Sequence, residues 1–207
     1  MSRYTGPKCR LCRREGVKLF LKGERCLGAK CAIEKRQKPP GQHGWPRGRP
    51  SDYALRLREK QKCKRFYGVQ EDQFRRIFDA AEKTRGDTGK ELLSLLERRL
   101  DSVLTVCGFA VSRAQGRQLV NHGHVQVNRR KTDVASYLVE EGDVIRPVPK
   151  DNILAMMRGN RESMGDPEPG WLDVNEADMT IRVARMPTRE DISVPVDEGL
   201  VVEFCSR

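Results

Sequence analysis

The sequence predicts an α+β chain: a mainly helical domain, a unit of two helices followed by a small antiparallel sheet, and a basic N-terminal segment with four cysteines. Three observations carry this. Apolar residues recur at helical spacing from 70 to 107. Between 124 and 148 that spacing gives way to short alternating runs. Cys9, Cys12, Cys26 and Cys31 form two close pairs, C-x₂-C-x₁₃-C-x₄-C, in a stretch with few other core residues.

The cysteine segment comes first. Two close pairs joined by a short loop are the spacing of a four-thiolate site, each pair forming a knuckle. Val17, Leu19, Phe20 and Leu21 are nearly all the apolar surface available there. A tetrahedral metal holds such a segment without a core, and structural zinc contributes on the order of 10 kcal/mol in small peptides. One structural zinc ion is therefore expected on Cys9, Cys12, Cys26 and Cys31. An iron–sulfur cluster takes the same ligands and is the alternative, and four reduced, unliganded thiols are the bland reading. Cys63, Cys107 and Cys205 lie far apart and read as small buried apolar residues. The start, "MSRYTGPKCR", has no apolar stretch of the kind that directs secretion, and no apolar run is long enough to cross a membrane. A reducing, cytosolic location is the expectation, and with it no disulfide framework.

Charge is distributed unevenly. Residues 1–65 hold 20 Lys/Arg against 5 Asp/Glu, a net of +15, while residues 66–207 hold 20 against 24, a net of −4. A polycationic third on a near-neutral body points to a polyanionic partner, nucleic acid first. Its N-terminal cations Arg3, Lys8, Arg10, Arg13, Arg14, Lys18, Lys22 and Arg25 are candidate contacts. The Pro/Gly-rich connector "KPPGQHGWPRGRP" (38–50) adds Arg47 and Arg49 beside Trp45, a stacking residue. His43 reads as a loop histidine near RNA or solvent.

The first long helix is "SDYALRLREKQKCKRFYG", with Ser51 or Asp52 as N-cap and Gly68 as terminator. Arg56, Lys60 and Lys64 share one face, and Arg58, Lys62 and Arg65 form a second cationic stripe. Only Glu59 offers acidic pairing inside the helix, so a facing polyanion is expected, with Tyr53 beside it. A second helix covers 70–83, with Phe74, Ile77, Phe78 and Ala81 at core spacing. Thr88 and Glu91 predict a capping box for a third helix ending at Gly108. Ser112 and Gln115 predict another, opening a short helix to about Asn121.

That short helix has two faces. Gly116, Leu119 and Val120 share the apolar one, where Gly116 points to close approach of the preceding helix. Arg113, Arg117 and Asn121 share the other and suit phosphate and 2′-hydroxyl contacts. Ser112, Gln115, Gln118, His122, His124 and Asn128 complete the candidate RNA set. The alternation of "HVQVN" (124–128) and "GDVIRPV" (142–148) predicts strands, with a turn at Asn128. A helix is expected from Asn152 to about Glu162, then a linker, then short strands ending in "LVVEF".

Taken together these residues resemble a known family. "GFAVSRAQGRQLVNHGHVQVN" (108–128) is similar to the helix–helix–strand core of the S-four RNA-binding module, whose αL-type motif places a helix pair on RNA. The whole chain resembles the bacterial-type S-four family of small-subunit ribosomal proteins. The cysteine segment, "PPGQHG", "SDYALRLREKQK", "YGV", "EGDVI", "REDI" and the terminal "VVEF" extend the resemblance nearly end to end. Gly116 stands where the family usually has alanine, "VNRR" replaces a common "VNG" turn, and Cys205 stands where tyrosine is frequent.

The resemblance implies a domain plan. Residues 1–45 form the metal-binding segment and connector, and 46–96 a helical domain completed by C-terminal strands within 171–207. An αL-type RNA-binding module at 97–160 is inserted in that domain, followed by a linker at 161–170. It also implies direct binding of small-subunit ribosomal RNA at a 5′-domain junction, early in subunit assembly. Implied neighbours are the fifth small-subunit protein, other 30S-type components and messenger RNA where it enters the subunit. Contact with the fifth protein would influence decoding accuracy. No membrane and no homo-oligomer are implied, and the ribosome is cytoplasmic or organellar. Cysteine-containing members bind metal near the N-terminus.

An RNA-modifying enzyme using the same module as a grip is the rival reading, and a free-standing regulatory RNA binder, against which the length, the cysteine segment and the tail argue, is the third. The enzyme needs a convergent acid, base or nucleophile. His122 and His124 have no evident orienting partner, and Asp101, Asp133 and Asp143 are scattered. No enzyme is expected.

Overall fold

The computed structural model describes residues 4–42 and 48–206. The chain divides into two compact units: one runs up to Leu93 and resumes at Val194, and the other is Ser94–Ser193. The second unit is longer than the module expected over 97–160. Residues 161–193 belong to it, where a linker and returning strands were expected.

In the first unit, α1 (Cys9–Glu15) and a 3-10 turn (Gly23–Cys26) lead to the short α2 (Ala32–Lys35). α3 (Asp52–Tyr67) begins where Ser51 Oγ accepts the N–H of Ala54 at 3.2 Å, and it ends at Gly68, whose φ of 64° is left-handed. Both ends follow the sequence: a hydroxyl satisfies an orphan amide, and glycine takes the left-handed turn. α4 (Glu71–Lys83) buries Phe74, Phe78 and Ala81 on one face. α5 (Thr88–Glu97) is capped by Asp87, whose carboxylate accepts the N–H groups of Gly89 (2.9 Å) and Lys90 (3.3 Å). Thr88 is already inside that helix, so the expected Thr88–Glu91 capping box does not form.

The chain ends in a helix, α9 (Glu198–Cys205), packed on α3. Strands were expected here from the β-branched "LVVEF". Asp197 decides otherwise: its side chain accepts the N–H of Leu200 at 3.2 Å and starts a helix that buries Val201.

In the second unit, α6 (Leu100–Val106) is separate from α5, where one continuous helix was expected. Arg99 is extended (φ −64°, ψ 136°) and bridges Leu138, and the N–H of Leu100 donates to Tyr137 O at 2.9 Å. Tertiary pairing overrides a helical pattern at this point. α7 (Arg113–Asn121) packs on α6. Ser112 Oγ accepts the N–H of Gln115 (3.4 Å), and the Gln115 side chain accepts the N–H of Val111 (2.7 Å). The expected capping box is present with its return bond displaced by one residue. A Cβ at Gly116 would lie 2.7 Å from the carbonyl oxygen of Asp101, so the two helices meet closely there.

The sheet is antiparallel with strand order β2-β1-β3-β5-β4: β1 (Val125–Val127), β2 (Arg130–Thr132), β3 (Val144–Pro147), β4 (Leu172–Asn175) and β5 (Thr180–Val183). Asn128 (φ 50°) and Arg129 (φ 65°) both take the left-handed region between β1 and β2, the conformation of a tight hairpin. β4 and β5 join β3 through β5, so they extend this sheet and do not return to the helical unit. α8 (Asp151–Ser163) lies between β3 and β4 in the chain. One sheet face is buried: Val125, Val127, Ile145, Ile181 and Val183 share a core with Leu104 of α6, Val120 of α7, Met157 of α8 and Trp171.

Candidate nucleic-acid interface

The cysteine segment brings its four thiols near one another. Cys12, Cys26 and Cys31 are buried, Cys9 is half-buried, and none is in a disulfide. Burial pushes the Cys12 thiol above its ordinary range, a backbone hydrogen bond at Leu19 opposes this, and Cys26, Cys9 and Cys31 add to the rise. Burial likewise raises Cys26, opposed at Lys22 and reinforced by Cys31 and Cys9. The four thiols therefore lie within electrostatic reach of one another. By chemistry the donor set fits a thiophilic metal. Its positions do not form a cage: among the described residues no three His, Cys, Asp or Glu side chains are placed to hold a metal ion.

Arg3 and Arg47, with His43 and Trp45, lie outside the described residues. Arg10, Arg14, Lys22, Arg25 and Arg49 are exposed. Lys8 donates to the carbonyl of Tyr4 (2.8 Å), Arg13 to that of Lys38 (2.9 Å), and Lys18 pairs with Glu34.

On α3 the two cationic stripes are largely neutralised from within the protein, where a facing polyanion was expected. Arg56 pairs with Glu203 of α9 at 2.6 Å. Arg58 (3.5 Å) and Arg65 both reach Glu15 of α1, whose carboxylate is fully buried. Burial pushes Glu15 upward, and Arg65 and Arg58 oppose it. Lys60 and Lys64 hold Glu71 of α4, and Lys62 pairs with Glu59. Burial alone would raise Glu71, yet hydrogen bonds from Lys60 and Lys64 hold it at about 2. Lys60 is only 4% exposed, so it is no surface contact. Glu203, Glu15 and Glu71 come from other helices, beyond the reach of i, i+4 reading. Tyr53 stays exposed, its ring 5.4 Å from that of Phe204.

The polar face of α7 is engaged in the same way. Arg113 donates to Ser102 Oγ (3.1 Å) and pairs with Glu97 (3.3 Å). Arg117 donates through Nε (3.0 Å) and Nη2 (2.6 Å) to Asp101 Oδ2. The same buried carboxylate takes two hydrogen bonds from Arg99, at 3.1 and 2.8 Å. Ser112 serves as the helix cap. Asn128 ties the hairpin, donating to Asp143 (2.7 Å) and accepting the N–H of Val144 (3.0 Å).

What α7 leaves open lies toward its C-terminal end. Gln118, Asn121 and His122 are exposed. Gln115, Gln118, His122 and His124 line one cavity of about 230 Å³ with Leu119, Ile153 and Met156. The two imidazoles lie 6.0 Å apart. Burial lowers the His124 pKa, with Lys150, His122 and Lys131 adding to the effect. Its Nδ1 is buried without a hydrogen-bond partner. Amides, imidazoles and an apolar floor suit ribose and base edges better than bare phosphate.

Sequence reading missed a second set of cations. Arg129, Arg130, Lys131 and Arg182 are exposed and Arg146 is half-buried. Their signal was alternation: Lys131, Arg146 and Arg182 fall on the sheet face opposite the buried one.

Residues 3–97 match the family described as the ribosomal protein S4/S9 N-terminal domain, and residues 98–145 match the S4 domain. Over 209 residues the chain is 56% identical to the small ribosomal subunit protein uS4 of Thermus thermophilus, with both chains covered in full.

The chain belongs to the uS4 family.

It is also 53% identical over 211 residues to the uS4 protein of Thermodesulfovibrio yellowstonii, and 51% identical over 207 residues to the uS4A protein of Symbiobacterium thermophilum, each covered in full. The uS4 family is one of ribosomal proteins and not of enzymes. Within it, the stretch matched as the S4 domain carries α6, α7, the β1–β2 hairpin and the start of β3. Among the described residues no helix is long and apolar enough to cross a membrane.

Proposed function

We propose that this chain is a structural, RNA-binding constituent of the small ribosomal subunit. It holds small-subunit ribosomal RNA through the S4-domain unit and the basic N-terminal third. The observation that carries this is the full-length identity to uS4 proteins. The exposed Arg10, Arg14, Lys22 and Arg25, and the open end of α7 at Gln118, Asn121 and His122, are the groups that meet the RNA. The test is binding of the purified chain to the 5′ domain of small-subunit ribosomal RNA across a salt series. Affinity falling steeply with salt is expected, because each phosphate contact releases counterions. A salt-independent affinity overturns the electrostatic account.

The same reading places the chain early in subunit assembly, on a cytoplasmic or organellar ribosome. Its neighbours there are the fifth small-subunit protein, whose contact bears on decoding accuracy, and messenger RNA entering the subunit. In the N-terminal segment, Cys9, Cys12, Cys26 and Cys31 hold one structural zinc ion, with an iron–sulfur cluster as the alternative. The thiol-only donor set supports this. Metal analysis of anaerobically purified protein decides it. One zinc per chain supports the cage, iron with sulfide supports the cluster, and no metal refutes both.

A further inference from the structure

The sheet of the second unit has one face with no core on it. Strand alternation puts Val125, Val127, Ile145, Ile181 and Val183 inward. The intervening residues therefore point the other way. Lys131 lies opposite Gln126, Gln126 opposite Arg146, and Val144 opposite Arg182. Lys131 and Arg182 are exposed, and among the described residues their side chains make no hydrogen bond or ion pair, while the Arg146 side chain bonds only Gln126, at 3.3 Å. The one acidic neighbour in the register is Asp173, opposite Arg182. Exposed Arg129 adds positive charge at the hairpin tip, while Arg130, opposite Val127, falls on the other face. At the other end, Lys131 lies against Gly123 and acts, with Lys150, on His124.

This contrasts with the cations of α3 and α7, most of which have a carboxylate partner. A row of cations across neighbouring strands, with Asp173 the one acidic side chain in their register, is suited to a chain of phosphates. The face carries no Phe, Tyr or Trp on these strands, so it offers no platform for stacking bases. Its chemistry recognises a backbone and reads no sequence.

We propose that the open sheet face, through Lys131, Arg146 and Arg182, is a second RNA-backbone contact surface, adjoining the open end of α7 at Lys131. The inference rests on the proposed ribosomal-RNA function. It assigns the same RNA, or a segment continuous with it, to the opposite side of the S4-domain sheet.

The test uses the full chain and the 5′-domain RNA. Lys131→Gln, Arg146→Gln and Arg182→Gln are combined in one variant, and a charge-retaining variant carries Lys131→Arg, Arg146→Lys and Arg182→Lys. Thermal unfolding checks that both remain folded. The expected result is a shallower salt dependence in the Gln variant, its log–log slope reduced by about 2 to 3, at roughly 0.7–0.9 for each phosphate no longer neutralised. The charge-retaining variant keeps the wild-type slope. Tight wild-type binding with an unchanged slope in the Gln variant overturns the inference and leaves the ribosomal-RNA reading standing. That result would also be seen if the face met an acidic protein surface. A wild-type chain without affinity for the RNA overturns the reading itself. Should the triple Gln variant unfold, the single Arg182→Gln change reports in its place, with a slope reduced by roughly 0.7–0.9.

Discussion

Asp101 shows how a residue's partners decide its role. Its carboxylate is 1% exposed and binds two guanidiniums, one of them Arg99 at 2% exposure. Removing one member of a buried charge network leaves the others without compensation, at about 3–5 kcal/mol. Asp101→Ala is expected to destabilise the second unit by that amount in urea unfolding. A loss below about 1 kcal/mol would mean that water replaces the carboxylate freely. The same geometry revises the outlook for Arg113 and Arg117. Replacing both with Gln removes pairings to Glu97, Ser102 and Asp101, so lower stability accompanies any loss of RNA affinity. Unfolding midpoint and RNA binding, measured on the same preparation, separate the two effects. Helical spacing identified the polar face of α7 correctly. Which face is polar is a local property, whereas a carboxylate supplied by another helix leaves no mark on spacing.

At the scale of elements, the ends of α3 and α7 were legible because a cap is local chemistry. Ser51 and Ser112 each accept an amide three residues on, and Gly68 takes the left-handed turn. Ser112→Ala is expected to cost about 1 kcal/mol, read as a lower thermal midpoint of the second unit. No change would mean that the Gln115 side chain carries the cap alone. The hairpin was legible too: the left-handed Asn128 follows from a turn without glycine, although Arg129 joins it. Three features escaped. The break at Arg99 is imposed by pairing with Leu138, a residue distant in the chain that no local pattern announces. β4 and β5 have strand character, but their partner is chosen by the core. α9 forms from "LVVEF" because Asp197 caps it and α3 covers it, against β-branched propensity.

For the whole molecule, two carboxylates tie stability to pH in the same window. Glu71 in the first unit is held at about 2 by Lys60 and Lys64 against the effect of burial. Asp191 in the second is held at about 2, chiefly by Arg185, against burial and with help from Thr188. Both folded values lie below the ordinary carboxylate range. Their stabilisation is therefore fully present above about pH 4.5 and is lost as pH falls through about 2. Urea midpoints measured at about pH 7, 4 and 2.5 are expected to fall in that order. Glu71→Gln flattens the trend for the first unit, and an unflattened trend would assign the acid sensitivity to other groups. The charge asymmetry of the sequence foretold a polyanionic partner, but not where its cations go. Lys60 is buried, and Arg56, Arg58, Lys62, Lys64 and Arg65 each have a carboxylate partner within the first unit, while Lys131 and Arg182 stand open in a region of no net positive charge. Local sequence reports how many charges there are; only folding reports which remain uncompensated.

The C-terminal helix has a consequence for the order of events during synthesis. α9 completes the first unit by packing on α3, placing Glu203 on Arg56 and the N–H of Asp197 on Glu59. Those residues are translated after the whole of the inserted unit. The inserted unit, Ser94–Ser193, is already whole when they emerge. The later-encoded domain therefore matures first, and the basic N-terminal third waits for α9 before its scaffold closes. A chain ended at Ser193 is expected to keep slow amide exchange in β1, β3 and β5 while α3 exchanges fast. Equal protection in both would show that α9 merely decorates a unit already formed.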